Sequence, residues 1–380
     1  MTLTLTRVRR AFREGLRAAH AELGSRPPAP RRPAPDTPLC EAPTHPGPSR
    51  PAAPPPPTGA PAPSAPRARA FDTGYRPRTL TLRRTTKTLA ELVRAPAALT
   101  VPGDVVAGAL ASARTAPVSP GRTALLAAGS VALYWAGMAL NDWADRAEDA
   151  RERPERPIPS GRLSPGAALA TATGLTAGAL ALGALAGGRR VLLRRTLPLA
   201  AAVWAYDLGL KRTRLGPLAM AAARGLDVLH GTGTGPARPA LGAALTVAAH
   251  TLAVTRLSRH EVDGEAGDEP ALALAVTAAS ALAAALPARH PGRKSAGHLR
   301  TRWTAPALAA GALALAGRAQ WAALRTPDAA HVRAAVGAGI HALVPLQAAL
   351  VARAGAPRAA LGLVAALPPA LSLARKVSPT

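Results

Sequence analysis

Residues 131–162 read VALYWAGMALNDWADRAEDARERPERPIPSGR, an apolar run that ends in three aspartates and then enters a loop crowded with arginine and proline. At 100° per residue, Asp142, Asp145 and Asp149 lie within about 60° of one another on a helix, with Asn141 beside Asp145 one turn away. One helix face at the end of a hydrophobic stretch therefore carries three carboxylates and an amide. At ~1.5 Å rise per residue, Asp142 and Asp149 stand about 10 Å apart along a straight axis, too far to share one ion. That spacing suits two or more cations bridging a diphosphate. A solvated acidic helix end is the plainer reading, but ionised groups beside a membrane span are costly and usually functional. Like charges this close also repel unless a cation neutralises them. Magnesium fits better than a softer metal, because the ligands are oxygens and no Cys or paired His lies nearby.

Downstream, Pro154, Pro157 and Pro159 end the helix and stiffen the loop. They hold Arg153 and Arg156 near the carboxylates, where guanidinium groups can pair with phosphate oxygens or with the aspartates themselves.

Outward from this segment, apolar stretches recur with short polar breaks. Spans are expected near 89–111, 123–143, 165–187, 191–208, 216–235, 238–257, 270–288, 304–324 and 330–353, each close to the ~20 residues that cross hydrocarbon. A stretch at 357–375 is a tenth span or an interfacial helix. A soluble bundle of helices this long and this poor in charge would have almost no polar faces. The fold class is therefore all-α, a multi-pass transmembrane bundle of about nine helices.

The first 86 residues differ from the rest. From about Arg26 to Arg69 the chain is mainly Pro, Ala, Arg and Ser, which cannot bury enough apolar surface to offset chain entropy, so residues 1–86 read as a disordered basic tail and 87–380 as the membrane domain. The mean hydropathy of +0.09 averages these two regimes. The N-terminal Arg7, Arg9 and Arg10 precede no apolar run long enough for a secretory signal. Cys40 is the single cysteine, so one chain holds neither a disulfide nor a multi-cysteine metal site.

A net charge of +26 raises the question of nucleic acid. Much of the excess sits in the tail and in short loops, and no DNA- or RNA-binding motif accompanies it. Basic residues beside spans instead attract anionic lipid headgroups and set topology. Arg151, Arg153, Arg156, Lys211 and Arg212 favour one side, whereas Arg189, Arg190, Arg194, Arg195, Arg293 and Lys294 favour the other. Arg76, Arg78, Arg83, Arg84 and Lys87, before the first span, break the tie. They place the tail, and the loops after spans 2, 4, 6 and 8, in the cytoplasm of a cell-membrane protein.

Asn141 to Asp149 resembles the NDxxDxxxD signature of the UbiA prenyltransferase superfamily, and Arg156-Pro157-Ile158-Pro159-Ser160-Gly161 matches its RPxPSG continuation. Tyr206 with Lys211-Arg212-Thr213 is similar to the family's YPxxKRxT segment, and Arg94 with Pro96 to its first-span entry. In detail the chain resembles an actinobacterial UbiA-like branch. The resemblance covers about Lys87 onward and leaves the tail without a counterpart. It implies nine transmembrane helices, two aspartate-rich motifs facing a cavity, and Mg²⁺-dependent ionisation of a prenyl diphosphate. A small, lipophilic, often aromatic acceptor then captures the allylic cation. On this reading Asp142, Asp145 and Asp149 are catalytic and bind Mg²⁺, while Asn141, Arg94, Arg153, Arg156, Tyr206, Lys211 and Arg212 hold substrate.

The second family motif departs from pattern. The corresponding region reads Arg256-Leu257-Ser258-Arg259-His260-Glu261-Val262-Asp263-Gly264, with Glu261 and Asp263 two residues apart rather than four. Such a pair points to opposite sides of a helix, although Gly264 marks a helix that is ending. Both remain expected metal ligands. The departure keeps two alternatives open: a prenyl-diphosphate binder or scaffold without turnover, and phosphoribosyl-type transfer to a polyprenyl phosphate. Asp104, Asp207, Arg224 and Asp227 also interrupt apolar segments. Arg224 and Asp227, at i and i+3, are expected to pair internally or to face the acceptor. His230, His250 and His341 are expected to hydrogen-bond between helices.

Overall fold

The structure, a computed structural model, describes residues 88–94, 98, 100–113, 118–264, 268–286 and 303–366. The tail with Cys40, the basic stretch before the first span, Pro96 and the chain beyond residue 366 lie outside the described residues. Every regular element described is helical.

In chain order the helices are α1 (Val101–Ser112), α2 (Pro120–Ala144), α3 (Arg146–Glu152), α4 (Pro165–Val191), α5 (Leu197–Leu208), α6 (Gly216–Gly231), α7 (Leu241–Leu257), α8 (Glu269–Ala285), α9 (Thr304–Arg325), α10 (Ala329–Arg353) and α11 (Pro357–Ala365). Starts follow local chemistry. Proline occupies the first turn of α1, α2, α4, α5, α6, α8 and α11, where its missing N–H costs nothing. Ser119, Ser164 and Asp328 cap α2, α4 and α10 by accepting from the amides of Arg122, Ala167 and His331.

Five segments are long and apolar enough to cross a membrane: Pro120–Ala144, Pro165–Leu208, Arg238–His260, Thr304–Arg325 and Ala329–Arg353. Val101–Ser112 and Glu269–Ala285 are shorter apolar helices beside them. The chain is a multi-pass membrane protein. The 44-residue segment is not one rod. Gly187 and Gly188 leave helical geometry, Gly188 with φ of 65°, and a π-helical turn at Leu192–Thr196 follows. Trp204 Nε1 donates to Thr176 Oγ1 at 3.0 Å across 28 residues, which a continuous helix would hold about 42 Å apart. The segment is therefore a hairpin, matching the two spans expected at 165–187 and 191–208.

The expected first span at 89–111 is divided. A helical turn at 88–92 ends at Val93 and Arg94, and α1 begins only at Val101, with Pro102 in its first turn. Arg94 has φ of 44°, a left-handed conformation that is uncommon for any residue but glycine.

Alanine and glycine let the helices approach closely, the usual means of packing in lipid. A Cβ on Gly108 would come within 1.8 Å of the Val228 carbonyl, and one on Gly231 within 2.1 Å of the Val105 carbonyl. These reciprocal contacts lock α1 onto α6. The largest core cluster joins α1, α6, α7, α8, α9, α10 and α11 through residues such as Ala107, Val228, Val247, Ala312 and Leu346.

Contacts between loops define the two ends of the bundle. At one end Lys211 pairs with Asp145, Arg259 donates to the Thr213 carbonyl, Arg333 donates to the Glu261 carbonyl, and Gly264 packs against Pro327. The segments after α2, α5, α7 and α9 therefore share one end. At the other, Ser112 donates to the Pro236 carbonyl and Arg195 to that of Gly235. A cavity of about 60 Å³ lies there, lined by Ser112, Arg122, Leu126 and Thr232 among others.

Candidate functional site

The C-terminus of α2 carries the acidic segment, and the straight helix expected from the sequence is interrupted within it. Asp145 sits at the joint between α2 and α3 with φ −91° and ψ 3°. The backbone bonds Asp145 N to Asn141 O and Asp149 N to Asp145 O continue across the joint, so the helix bends without unwinding. The bend corrects the separation expected for the outer pair. Asp142 Oδ1 and Asp149 Oδ2 both contact one nitrogen, Arg156 Nη1, at 3.4 and 2.7 Å. A single cationic atom thus serves two carboxylates that a straight helix would keep apart.

Arg156 reaches this position because the loop after α3 folds back. Ser160 donates through both N and Oγ to the Arg156 carbonyl, and Gly161 takes φ of 71° to close the turn. Arg162 ties the loop down by pairing with Glu91 and donating to the Glu155 carbonyl. Arg94 adds a second cation to Asp142 at 3.2 Å, and the exposed Arg153 reaches Asp149 at 3.6 Å. Asp142 and Asp149 are 4% and 2% exposed, so these acids line the inside of the bundle mouth and are not solvated.

Asp145 has its own partners, brought from α5 by the turn at Leu210–Arg212. Lys211 Nζ and Arg212 Nη2 each lie 2.7 Å from its carboxylate, and Arg212 also reaches Glu148 at 3.4 Å. Burial pushes the Asp145 carboxyl up, but the hydrogen bonds and charges of Lys211 and Arg212 outweigh it and hold the group below the ordinary aspartate range. Asn141 donates to Asp207 at 3.4 Å, bringing into the site a buried acid that the sequence marks only as a polar interruption. Tyr206, beside it on α5, is within electrostatic range of Asp145 and Arg259.

Glu261 and Asp263 are not brought into these pairs. The helix α7 has already ended at Leu257, and after a 3₁₀ turn the two acids occupy a turn closed by Gly264 with φ of 79°. The positive φ and the Pro327 carbonyl, 2.9 Å from any Cβ at that position, both require glycine. Burial raises Glu261 above the ordinary carboxylate value, with Arg333 opposing, and Asp263 is exposed. Among the described residues, no three acidic, histidine or cysteine side chains converge on one metal position. Magnesium, however, is commonly held by one or two carboxylates together with substrate phosphates, and the Asp142–Asp149 pair with its hard oxygens fits that mode.

Deeper in the bundle, the expected Arg224–Asp227 pair does not form. Arg224 pairs with Asp104 on α1 at 2.9 Å, and Asp227 is bonded by Ser130 Oγ on α2 at 2.5 Å. Residues three apart on α6 meet different neighbours here, because the close α1–α6 crossing presents Asp104 to Arg224. His250 bonds the Gly339 carbonyl of α10 and His230 that of Leu126 on α2, both as interhelical links, whereas His341 is exposed.

A sequence profile described as the UbiA prenyltransferase family matches residues 105–343, more than half of the chain. Among solved structures, the chain is similar to one from work on digeranylgeranylglyceryl phosphate synthase in membranes, at 17% identity and a TM-score of 0.53, covering 72% of this chain and 99% of that one. It is also similar to the apo structure of a UbiA homolog from Aeropyrum pernix K1, at 19% identity and a TM-score of 0.52, covering 67% and 96%. At these identities the likeness is one of fold. No curated protein matches the chain.

Proposed function

This chain belongs to the UbiA prenyltransferase family, and from that premise we propose that it transfers a prenyl group from a prenyl diphosphate to a small lipophilic acceptor within the membrane. The observation that carries this reading is the set of carboxylates, Asp142 and Asp149 buried and Asp145 half-buried, each paired with arginine or lysine where the helix bundle opens.

Asp142 and Asp149 are the residues that would hold magnesium, with Asp145 and the amide of Asn141 as further oxygen donors. The metal would neutralise the charge that builds on the departing diphosphate. The chain's own contribution is cationic. Arg94, Arg156, Lys211 and Arg212 already converge on this volume, and guanidinium and ammonium groups that release a carboxylate are free to take phosphate oxygens. Such preset donors stabilise a leaving group without reorganising as it departs. Tyr206 and Arg153 flank the same opening as substrate contacts.

Placement of the sites at the end shared by the loops after α2, α5, α7 and α9 supports entry of the diphosphate headgroup from one aqueous face, which the basic N-terminal flank makes the cytoplasmic one. The isoprenoid tail then extends among the apolar helices. Glu261 and Asp263, on their turn, favour a second reading in which the donor is bound without turnover. Purified protein in detergent, given Mg²⁺ and labelled geranylgeranyl diphosphate, is expected to bind the donor and slowly release diphosphate. Unchanged binding and release in the double variant Asp142→Asn, Asp149→Asn would overturn the assignment; binding with no release, and no product from a broad acceptor panel, would support the second reading.

A further inference from the structure

The end of the bundle opposite the mouth is built differently. Residues 112–122, 186–197 and 231–241 meet there, joined by the Ser112–Pro236 and Arg195–Gly235 bonds, and they contain neither aspartate nor glutamate. They do contain Arg122, Arg189, Arg190, Arg194, Arg195 and Arg238. Arg195 is half-buried and the other five are exposed. At the mouth each arginine of the site has a carboxylate beside it, whereas these segments supply no carboxylate to answer theirs.

The chain gathers these arginines by its own geometry. The break at Gly187–Gly188 and the π-helical turn at Leu192–Thr196 place four of them at the tip of the α4–α5 hairpin. Arg195 Nη2 donates to the Gly235 carbonyl at 3.4 Å and lies within electrostatic range of Arg190 and Arg194. Arg190 and Arg194 stand at i and i+4, a spacing at which like charges destabilise a helix. An anion seated among them removes that repulsion. The cavity of about 60 Å³ at this end is lined by Arg122 and by the turn Thr232–Gly235, whose last residue is the one that Arg195 grips. Apolar side chains stand next to the charges: Leu185, Leu193 and Leu197 are 73%, 44% and 44% exposed. A soluble anion has no use for exposed leucines, whereas a ligand with an anionic head and a hydrocarbon tail engages both kinds of side chain.

We propose that this end binds an anionic phospholipid of the leaflet opposite the mouth, with the phosphate held by Arg190, Arg194, Arg195 and Arg122 and the acyl chains against Leu185, Leu193 and Leu197. Basic clusters at a bilayer surface gain affinity for anionic lipid with each added arginine, and guanidinium groups pair with phosphate oxygens through two bonds at once. Because Arg195 belongs to the hairpin tip and bonds the loop between α6 and α7, a lipid on this cluster braces the two segments against each other. The site is independent of the reaction at the mouth and stands whichever group that reaction transfers.

Native mass spectrometry of the full chain in detergent, titrated with phosphatidylglycerol or phosphatidylcholine, counts the bound lipid. The wild type is expected to retain phosphatidylglycerol and to release phosphatidylcholine. The triple variant Arg189→Gln, Arg190→Gln, Arg194→Gln should bind phosphatidylglycerol about 100-fold more weakly. A charge-matched variant at the mouth end, Arg151→Gln, Arg214→Gln, Arg325→Gln, should keep the tight binding. Thermal melts of the wild type give a readout that needs no variant: phosphatidylglycerol should raise the melting temperature and phosphatidylcholine should not. Equal retention of the two lipids, an equal loss in both triple variants, or inorganic phosphate that displaces phosphatidylglycerol as well as the lipid itself does would overturn the proposal.

Discussion

The mouth and the inner cluster both set carboxylates against arginines, yet their balances differ. At the mouth, Asp142, Asp145, Asp149 and Glu148 face Arg94, Arg153, Arg156, Lys211 and Arg212. With Asp207 beside them the charges balance, five acids to five cations, so arrival of a divalent ion frees several positive side chains for an anion. Inside, Arg224 pairs with Asp104 and lies within electrostatic range of Asp227, so two carboxylates face one cation. The cations of the mouth suit a multiply charged headgroup, whereas the interior offers an anion no such surplus.

The largest expected effect separates the two at once. Arg224→Gln leaves Asp104 buried without its cation, which costs about 3–5 kcal/mol, and added Mg²⁺ does not restore the melting temperature. Equal stability to the wild type would show that Asp104 and Asp227 do not depend on that charge. Next, Asp142→Asn is expected to slow diphosphate release from geranylgeranyl diphosphate by about 100-fold, or about 2.7 kcal/mol, in a radiolabel assay. Retained release would place the chemistry elsewhere. Arg156→Gln should destabilise by about 1–2 kcal/mol, because Arg94 and Arg153 remain on the two carboxylates, and here Mg²⁺ should recover the loss. Thermal melts with and without the ion read the contrast directly.

A smaller effect follows from Asp145. Its folded carboxyl lies below the ordinary range, whereas an unfolded aspartate titrates near ~3.9. Stability from the Lys211 and Arg212 pairs is therefore fully present above that value and lost as pH falls through the folded pKa. Melting temperature should drop on acidification in the wild type, and the drop should be shallower in Asp145→Asn. The smallest change belongs to Arg153→Gln. That arginine is half exposed at 3.6 Å, so the expected cost is below about 1 kcal/mol in chemical denaturation.

Much of this contrast was legible at the mouth and little of it inside. The apolar runs, the break between the spans at Gly187–Gly188 and the return of Arg156 to the aspartates follow from local signals, hydrophobic length, proline placement and a motif contiguous in sequence, whereas the place of Lys211 and Arg212 is implied only by the family resemblance. The bend at Asp145 does not, because nothing in the spacing of the acids distinguishes a straight helix from one interrupted by a single residue. The first span also departs from its apolar pattern, which runs through Arg94 without marking the break before Val101. Inside, Arg224 and Asp227 are three residues apart and read as partners. Their actual partners lie on α1 and α2, fixed by the glycine crossing of α1 on α6, which is a tertiary fact.

Equilibrium binding of labelled geranylgeranyl diphosphate to the full chain, titrated with Mg²⁺, tests most directly whether the mouth captures a diphosphate. Binding in the wild type is expected to require the ion and to vanish in the Asp142→Asn, Asp149→Asn variant. Binding that is indifferent to Mg²⁺ and equal in both proteins would contradict the assignment of those carboxylates.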